Sequence, residues 1–480
     1  MMRKLLCLLV VLSVLLTLPA CGRKGNSSAT QTTPSQTTPS QTNPTKATEN
    51  GQTDPTTIPT EPTIPPATKP DLQPETETAP PETQPKPTEP KPTEPTEPAP
   101  TVPPVLEPDP TPTYGHTPLS QTEYYQYSQM TATEKQVYTK LVSALNGLQS
   151  EVTVTGITIK ADAALTLFHR VIADYPQFFW VSRGSSVIYD SRTGNVEKFI
   201  LLYTDGERSD TVSNNKAVIR ADRAKIATKK MTLEGKISQI LGTIPANIPE
   251  VEREKRIHDY IVSTVRYDTA AAANSNPVDG FLPHAFDIYG AAVEGKAVCE
   301  GYAKLFQYLC YRTGINATQI SGIADGGGHM WNAVKLDGDW YELDATWADQ
   351  ETDAIYYGFF NLTHSEMAQS HAASTEIPYP QATGTKYRYA DYYALKLLSA
   401  TQVSDTYKTV VDRLISAGSG YLIIYKNGVT VSGKDMNTLV YNDTSVIAQY
   451  ARSRGYRLEF ANSYSTYEDF IYIACTVKTR

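Results

Sequence analysis

The chain has 480 residues, a net charge of −8 with histidine neutral, and 31 tyrosines but only five cysteines. The acidic balance, with no basic stripe, excludes a phosphate-backbone partner, so no nucleic acid is expected. So few cysteines exclude a disulfide scaffold, and the fold must rest on a hydrophobic core.

Residues 1–20 read as a signal peptide. Arg3 and Lys4 precede an apolar run from Leu5 to Leu18, followed by Leu18-Pro19-Ala20-Cys21. The run is short for a membrane span, and a small residue before cysteine is where a lipoprotein signal peptidase cuts. Cys21 is therefore the expected lipidation site, anchoring the chain to the outer face of a cell membrane. Pro19 is uncommon at its position in such a site, which leaves an uncleaved anchor as the alternative.

Residues 21–113 hold 24 of the 33 prolines, with the repeats QTTPSQTTPSQTNPT and KPTEPKPTEPTEP. This composition offers too little apolar surface to offset the entropy lost on folding, and its prolines favour extended chain. A disordered tether is expected. At about 3.1 Å per residue it reaches on the order of 250 Å.

Three folded parts are expected after it. Residues 114–213 form an α+β unit, with helices over 133–148 and 162–174. Strands follow in PQFFWVSRGSSVIYDSRTGNVEKFILLYTD, with turns at Arg183-Gly184 and Thr193-Gly194. Residues 214–375 form the central domain. Its helices run over 214–241, 249–266 (Ile257, Ile261 and Val265 on one face) and 298–312, and its strands over 318–323, 329–336 and 340–344. Residues 376–480 alternate helix and strand in TYKTVVDRLISAG, GYLIIYKNGVTV, TSVIAQYARSRG and FIYIACTVK, a small α/β unit.

The chemistry gathers in the central domain. In KAVCEGYAKLFQYLCYRTG the helix over 298–312 is apolar on most of its circumference, which places it in the middle of a domain. Cys299 falls in its first turn, where unpaired N–H groups and the helix dipole favour a thiolate. Cys310 lies about 16 Å further along the axis, too far to bridge to Cys299, and reads as a small buried hydrophobe.

His329, in GGGHMWNAVKLDGDWYELDATW, is the candidate base. Asp337-Gly338 predicts a two-residue hairpin turn, pairing Leu336 with Asp339. Counting back puts Asp344 on the face of His329 as a diagonal neighbour, the relation a base and its orienter need. His329, Trp331, Glu342 and Asp344 then share a polar side suited to a cleft, while Met330, Asn332, Val334, Leu336, Tyr341 and Leu343 face the core. The segment Asp325-Gly326-Gly327-Gly328 before His329 reads as mobile. His258, His284, His364 and His371 show no comparable arrangement and read as ordinary surface, core or capping residues. Cys299, His329 and Asp344 make a poor metal set, with one thiolate and no close cysteine pair, and no cofactor is expected.

GKAVCEGYAKLF, GGGHMWNAVKLDGDWYELDATW and the order Cys, His, Asp resemble the bacterial transglutaminase-like superfamily, closely over residues 250–349. The resemblance implies a papain-related α+β core, a central helix packed on an antiparallel sheet. It makes Cys299 the nucleophile, His329 the general base and Asp344 its orienter. Family members include amide cross-linkers, peptidases, deglycosylating amidases and inactive forms, which share thiolate attack on an amide carbonyl to give a thioester. The expected protein is a cell-surface lipoprotein of the bacterial envelope acting on protein or cell-wall peptide. The alternative is a non-catalytic module binding a polymer or protein on the same scaffold. The Cys299 N–H is one expected oxyanion donor, and Tyr267 a candidate for the second.

Overall fold

The computed structural model describes residues 114–208, 220–274, 282–349, 355–467 and 469–479. The signal peptide, Cys21 and the proline-rich tether lie outside the described residues. The fold is mixed α+β, with helices packed on mainly antiparallel sheets.

The helix Ala132–Asn146 opens with a capping box in which Thr131 and Glu134 satisfy each other's backbone N–H groups. Its Val137, Leu141 and Leu145 are buried at helical spacing. Next come β1 (Glu151–Thr153), the helix Ala161–Asp174, β2 (Val181–Tyr189), β3 (Val196–Arg208) and β4 (Arg220–Ala221), with β3 between β1 and β2 and also pairing β4. Gly194, at φ 70°, makes the expected β2–β3 turn. Arg183-Gly184 does not turn. Pairing passes from Val181↔Tyr203 to Ser185↔Leu201, four steps on β2 against two on β3, so the pair sits in a bulge. The helix expected from 214 instead begins at Arg223, where the Asp222 side chain accepts from the Lys225 N–H, because Ala221 still pairs with Gly206 of β3. Residues 214–219 lie outside the described residues.

The main core does not break at residue 213. Leu141 and Phe168 of the N-terminal unit belong to one buried cluster with Ile237, Ile261, Leu305 and Leu343. Polar and aromatic contacts cross the same boundary: Gln307 Nε2 donates to the Ala173 carbonyl at 2.9 Å, and the Tyr124 and Tyr311 rings stack 4.1 Å apart.

The central region carries the helix Glu250–Thr264, β5 (Arg266–Tyr267), β6 (Lys296–Ala297), the helix Cys299–Arg312 and β7 (Ala317–Ala324). It continues with β8 (Gly327–Leu336), β9 (Asp339–Leu343) and β10 (His371–Ala373). The antiparallel sheet runs β10-β7-β8-β9. The Cys299 helix packs on β7 and β8, and every residue from Glu300 to Tyr311 except Lys304 is buried. Gly301 is required by close approach: a Cβ there would lie 2.6 Å from the Ala297 Cβ and 2.9 Å from the Ala285 carbonyl oxygen.

The β8–β9 turn is the two-residue Asp337-Gly338, at φ 49° and 95°, with Leu336 opposite Asp339. The β7–β8 turn is of the same kind, Asp325-Gly326 at φ 48° and 73°. The expected mobile segment is therefore a tight turn: Gly327 and Gly328 already pair with Ala324 and Ile323.

The C-terminal part comprises β11 (Leu395–Ser399), β12 (Gln402–Val403), the helix Tyr407–Ala417, β13 (Ser419–Tyr425), the helix Val446–Ser453, β14 (Tyr456–Phe460), β15 (Ser465–Tyr467) and β16 (Phe470–Thr479). Its sheet order is β12-β11-β13-β16-β14, and Leu397, Val411, Leu422, Ile447 and Ile473 form a core of its own. Among the described residues no helix is long and apolar enough to cross a membrane.

Candidate active site

Cys299 is the first residue of its helix, and the chain entering it is tied down on two sides. β6 pairs in parallel with β5, so Tyr267 stands beside Ala297, and the Val298 N–H donates to the Ala285 carbonyl at 2.9 Å. Val298 is the N-cap residue and makes no side-chain cap bond, so the start of the helix keeps its electropositive character for an anion. Cys299, Cys310 and Cys475 are all free thiols. Cys299 is half-buried, the other two buried. Burial pushes the Cys310 thiol well up and that of Cys475 up to about 12, which makes both inert.

β8 is fixed on the Cys299 helix by Asn332, whose Nδ2 donates to the Ala303 carbonyl at 3.0 Å and to that of Thr318 at 3.4 Å. His329 lies three residues upstream, opposite Gly322 of β7. Asp344 follows β9 directly. It does not continue the strand: it caps the short helix Ala345–Ala348, which packs on the Cys299 helix. Its Oδ1 accepts from the backbone N–H groups of Thr346 (2.8 Å) and Trp347 (3.2 Å). Its Oδ2 accepts from His329 Nε2 at 2.7 Å.

The hairpin register thus brings His329 and Asp344 together. Because Nε2 of His329 is bonded to Asp344, proton exchange with a thiol falls to Nδ1. Burial alone would raise the Asp344 carboxyl, but the imidazoles facing it outweigh burial and hold it well below the usual carboxylate range.

Sequence reasoning missed the second imidazole. His371, set aside as ordinary, points Nε2 at the same Asp344 Oδ2, 3.2 Å away, while Ser370 Oγ lies 2.8 Å from its Nδ1. Its ring centroid is 4.9 Å from that of Trp331 and 4.5 Å from that of Trp347. The other three histidines set aside also sit in polar networks. His258 is fully buried, bonded to Asp259 and within the field of Asp344, and burial pushes it down. His284 bonds Asp287 and Lys229, and His364 bonds Glu342. Asp259 and Asp287 stand one and three residues from their histidines, a spacing too common to mark a site, whereas Lys229, Glu342 and Asp344 come from other elements.

The polar side of the hairpin is covered rather than open. His329, Trp331, Glu342 and Asp344 are all buried. The Trp331 indole donates to Glu342 Oε2 at 2.8 Å, while Ile320, Ala333 and Met367 close over it. His329, Asp344 and His371 place three ligand-type atoms within 4.8 Å of one another. In the hydrogen-bonded arrangement both Nε2 atoms are engaged by one carboxylate oxygen, and the other oxygen is engaged by backbone.

Arg183 was also missed. The β2 bulge carries it to the start of the Cys299 helix, where it pairs with Glu300 and lies 5.2 Å from the Phe286 ring centroid. Burial lowers its guanidinium and a thiolate at Cys299 would oppose that, while Lys304 Nζ holds the other Glu300 oxygen at 2.6 Å. The N-terminal unit thus sets a cation beside the thiol.

The sequence pattern that defines the transglutaminase-like superfamily matches residues 240–345. Those residues are a transglutaminase-like domain. The chain is similar to kyphoscoliosis peptidase of Homo sapiens, 27% identical over 215 residues, which cover 39% of this chain and 31% of that protein. The Mus musculus protein of the same name is 26% identical over 215 residues, with the same coverage. The chain spans about a third of the length of these curated relatives. Among solved structures, the crystal structure of a TGase is 18% identical, covers 32% of this chain and 39% of that one, and has a TM-score of 0.23. The transglutaminase-like domain contains the Cys299 helix, β7, β8, β9 and Asp344. His371 lies beyond the matched residues.

Proposed function

We propose that this chain is a cysteine enzyme that cleaves or transfers amide bonds of protein or cell-wall peptide through a thioester on Cys299. The observation that carries this reading is the 2.7 Å bond from His329 Nε2 to a buried Asp344 fixed by two backbone donors, on a hairpin packed against the Cys299 helix. A pure scaffold has no need of an oriented imidazole there.

The proton of the Cys299 thiol passes to His329 Nδ1, and the thiolate attacks the amide carbonyl. The oxyanion is met by the Cys299 N–H, with Tyr267, on the strand beside Ala297, as candidate second donor. The C–N bond breaks, His329 returns the proton to the leaving amine, and a thioester remains. Water or a second amine attacks it, giving its proton to His329, and the thiol leaves re-protonated. Asp344 holds the ring and stabilises the imidazolium. The name of the curated relatives is that of a peptidase, which supports water as one acceptor.

Two casein probes separate the outcomes: fluorescein-casein for hydrolysis, and dimethylcasein with a biotinylated alkylamine for transfer. At least one is expected to turn over and to lose its signal in Cys299→Ala. Full signal in that variant would remove Cys299 from the reaction, and binding of casein without turnover and without a Cys299 acyl adduct by mass spectrometry would replace the enzyme by the binding module.

We further propose lipid anchorage at Cys21, resting on Leu18-Pro19-Ala20-Cys21, with the tether holding the enzyme away from the outer face of the bacterial membrane. The mature protein is then expected to begin at a diacylated Cys21. Mass spectrometry that recovers Met1 on the mature chain would end that proposal.

A further inference from the structure

Among the described residues Asp344 accepts four hydrogen bonds, one of them from His329. Oδ1 is filled by the Thr346 and Trp347 N–H groups, and Oδ2 is shared between His329 at 2.7 Å and His371 at 3.2 Å. We propose that His371 is a positioning residue of the triad: by donating to the oxygen that holds His329, it fixes the carboxylate and limits how firmly that carboxylate retains the His329 proton. This inference rests on the Cys299–His329–Asp344 reading.

The location of His371 supports a role in holding rather than in reaction. It is fully buried on the edge strand β10, opposite Ala324 of β7, with its ring between Trp331 and Trp347. The close approach of β10 to β7 is built in: a Cβ on Gly322 would meet the Ala372 carbonyl oxygen at 2.2 Å. The His329 and His371 ring centroids are 5.4 Å apart.

The direction of the effect follows from the shared oxygen. A second donor on Oδ2 draws off part of its negative charge, so the His329 imidazolium is held less tightly than by Asp344 alone. A proton on His371 would add like-charge repulsion of the same sign. Other titratable groups on the packed elements are Cys299 on its helix and Lys255, His258 and Asp259 on Glu250–Thr264. Further ones are Glu254 on Glu250–Thr264, Glu300 and Lys304 on the Cys299 helix, Glu342 on β9 with its partner His364, and Asp325 in the β7–β8 turn. None of these hydrogen-bonds to Asp344 Oδ2, so removing His371 alone changes its occupancy.

The test is carboxymethylation of Cys299 by iodoacetate on the full chain, followed by peptide mass spectrometry across pH. An anionic alkylator reacts fastest while thiolate and imidazolium coexist, so the alkaline fall of the rate reports loss of the His329 proton. His371→Ala is expected to move that fall upward by about 0.5–1 pH unit, and His371→Gln, which restores a neutral N–H donor, to move it less than half as far. If the alanine variant does not fold, His371→Leu fills the space without a donor and carries the same expectation. An alkaline limb that stays in place in the donor-less variant, or moves equally in His371→Gln, overturns the role of His371. A parent protein with no alkaline fall overturns the triad, and this inference with it.

Discussion

His329→Ala is expected to lower amide turnover by roughly 10³-fold or more, and Cys299→Ala to abolish it. The alanine at 329 removes both the acceptor of the thiol proton and the donor to the leaving amine, while Asp344 keeps His371 and its backbone donors. The site therefore loses its base without losing its frame. Casein turnover measured beside a thermal melt separates the two effects, and the melting temperature is expected to move far less than the rate. Cys310→Ala is the control: the thiol is fully buried deep in the helix, so stability falls and turnover per folded molecule does not. Turnover in His329→Ala at the parental rate would remove His329 from the mechanism.

The largest loss of stability among site variants is expected from Asp344→Ala, roughly 3–5 kcal/mol at pH 7. The substitution takes the acceptor from two buried imidazoles and the cap from the Ala345–Ala348 helix in one step. The carboxyl is held well below its ordinary range in the fold. Its contribution is therefore complete above the unfolded value of about 4 and is lost as pH falls towards the folded value. Urea unfolding at pH 7 and pH 3 checks the sign: the gap between parent and variant is expected to narrow at the lower pH. A gap that is the same at both would mean that Asp344 acts through packing alone.

Local chemistry made part of this site legible. Asp337-Gly338 adopts positive φ at both positions, which sets the loop at two residues, and from there the register to Asp344 is arithmetic. The Cys299 helix was readable because its apolar positions run around most of the cylinder. Distance along the chain hid the rest. His371 reaches Asp344 through β10, whose pairing with β7 spans some fifty residues and leaves no periodic trace in a three-residue strand. Arg183-Gly184 carries turn residues inside a strand, and the choice of a bulge depends on β3, which no local pattern encodes. Helix propensity between 214 and 241 likewise said nothing of β4, whose pairing with β3 delays the helix to Arg223.

The unbroken core between the N-terminal unit and the Cys299 helix also sets an order of events at birth. The Ala173 carbonyl and the Tyr124 ring leave the ribosome well over a hundred residues before Gln307 and Tyr311, which cover them. At translation rates of about 5–20 residues per second that interval is on the order of ten seconds. Throughout it the N-terminal unit shows bare apolar surface to whatever lies nearby. A chain exported before folding would meet that interval again outside the cytoplasm, where the segment to be shielded by an export factor is the first folded hundred residues rather than the thiol that follows.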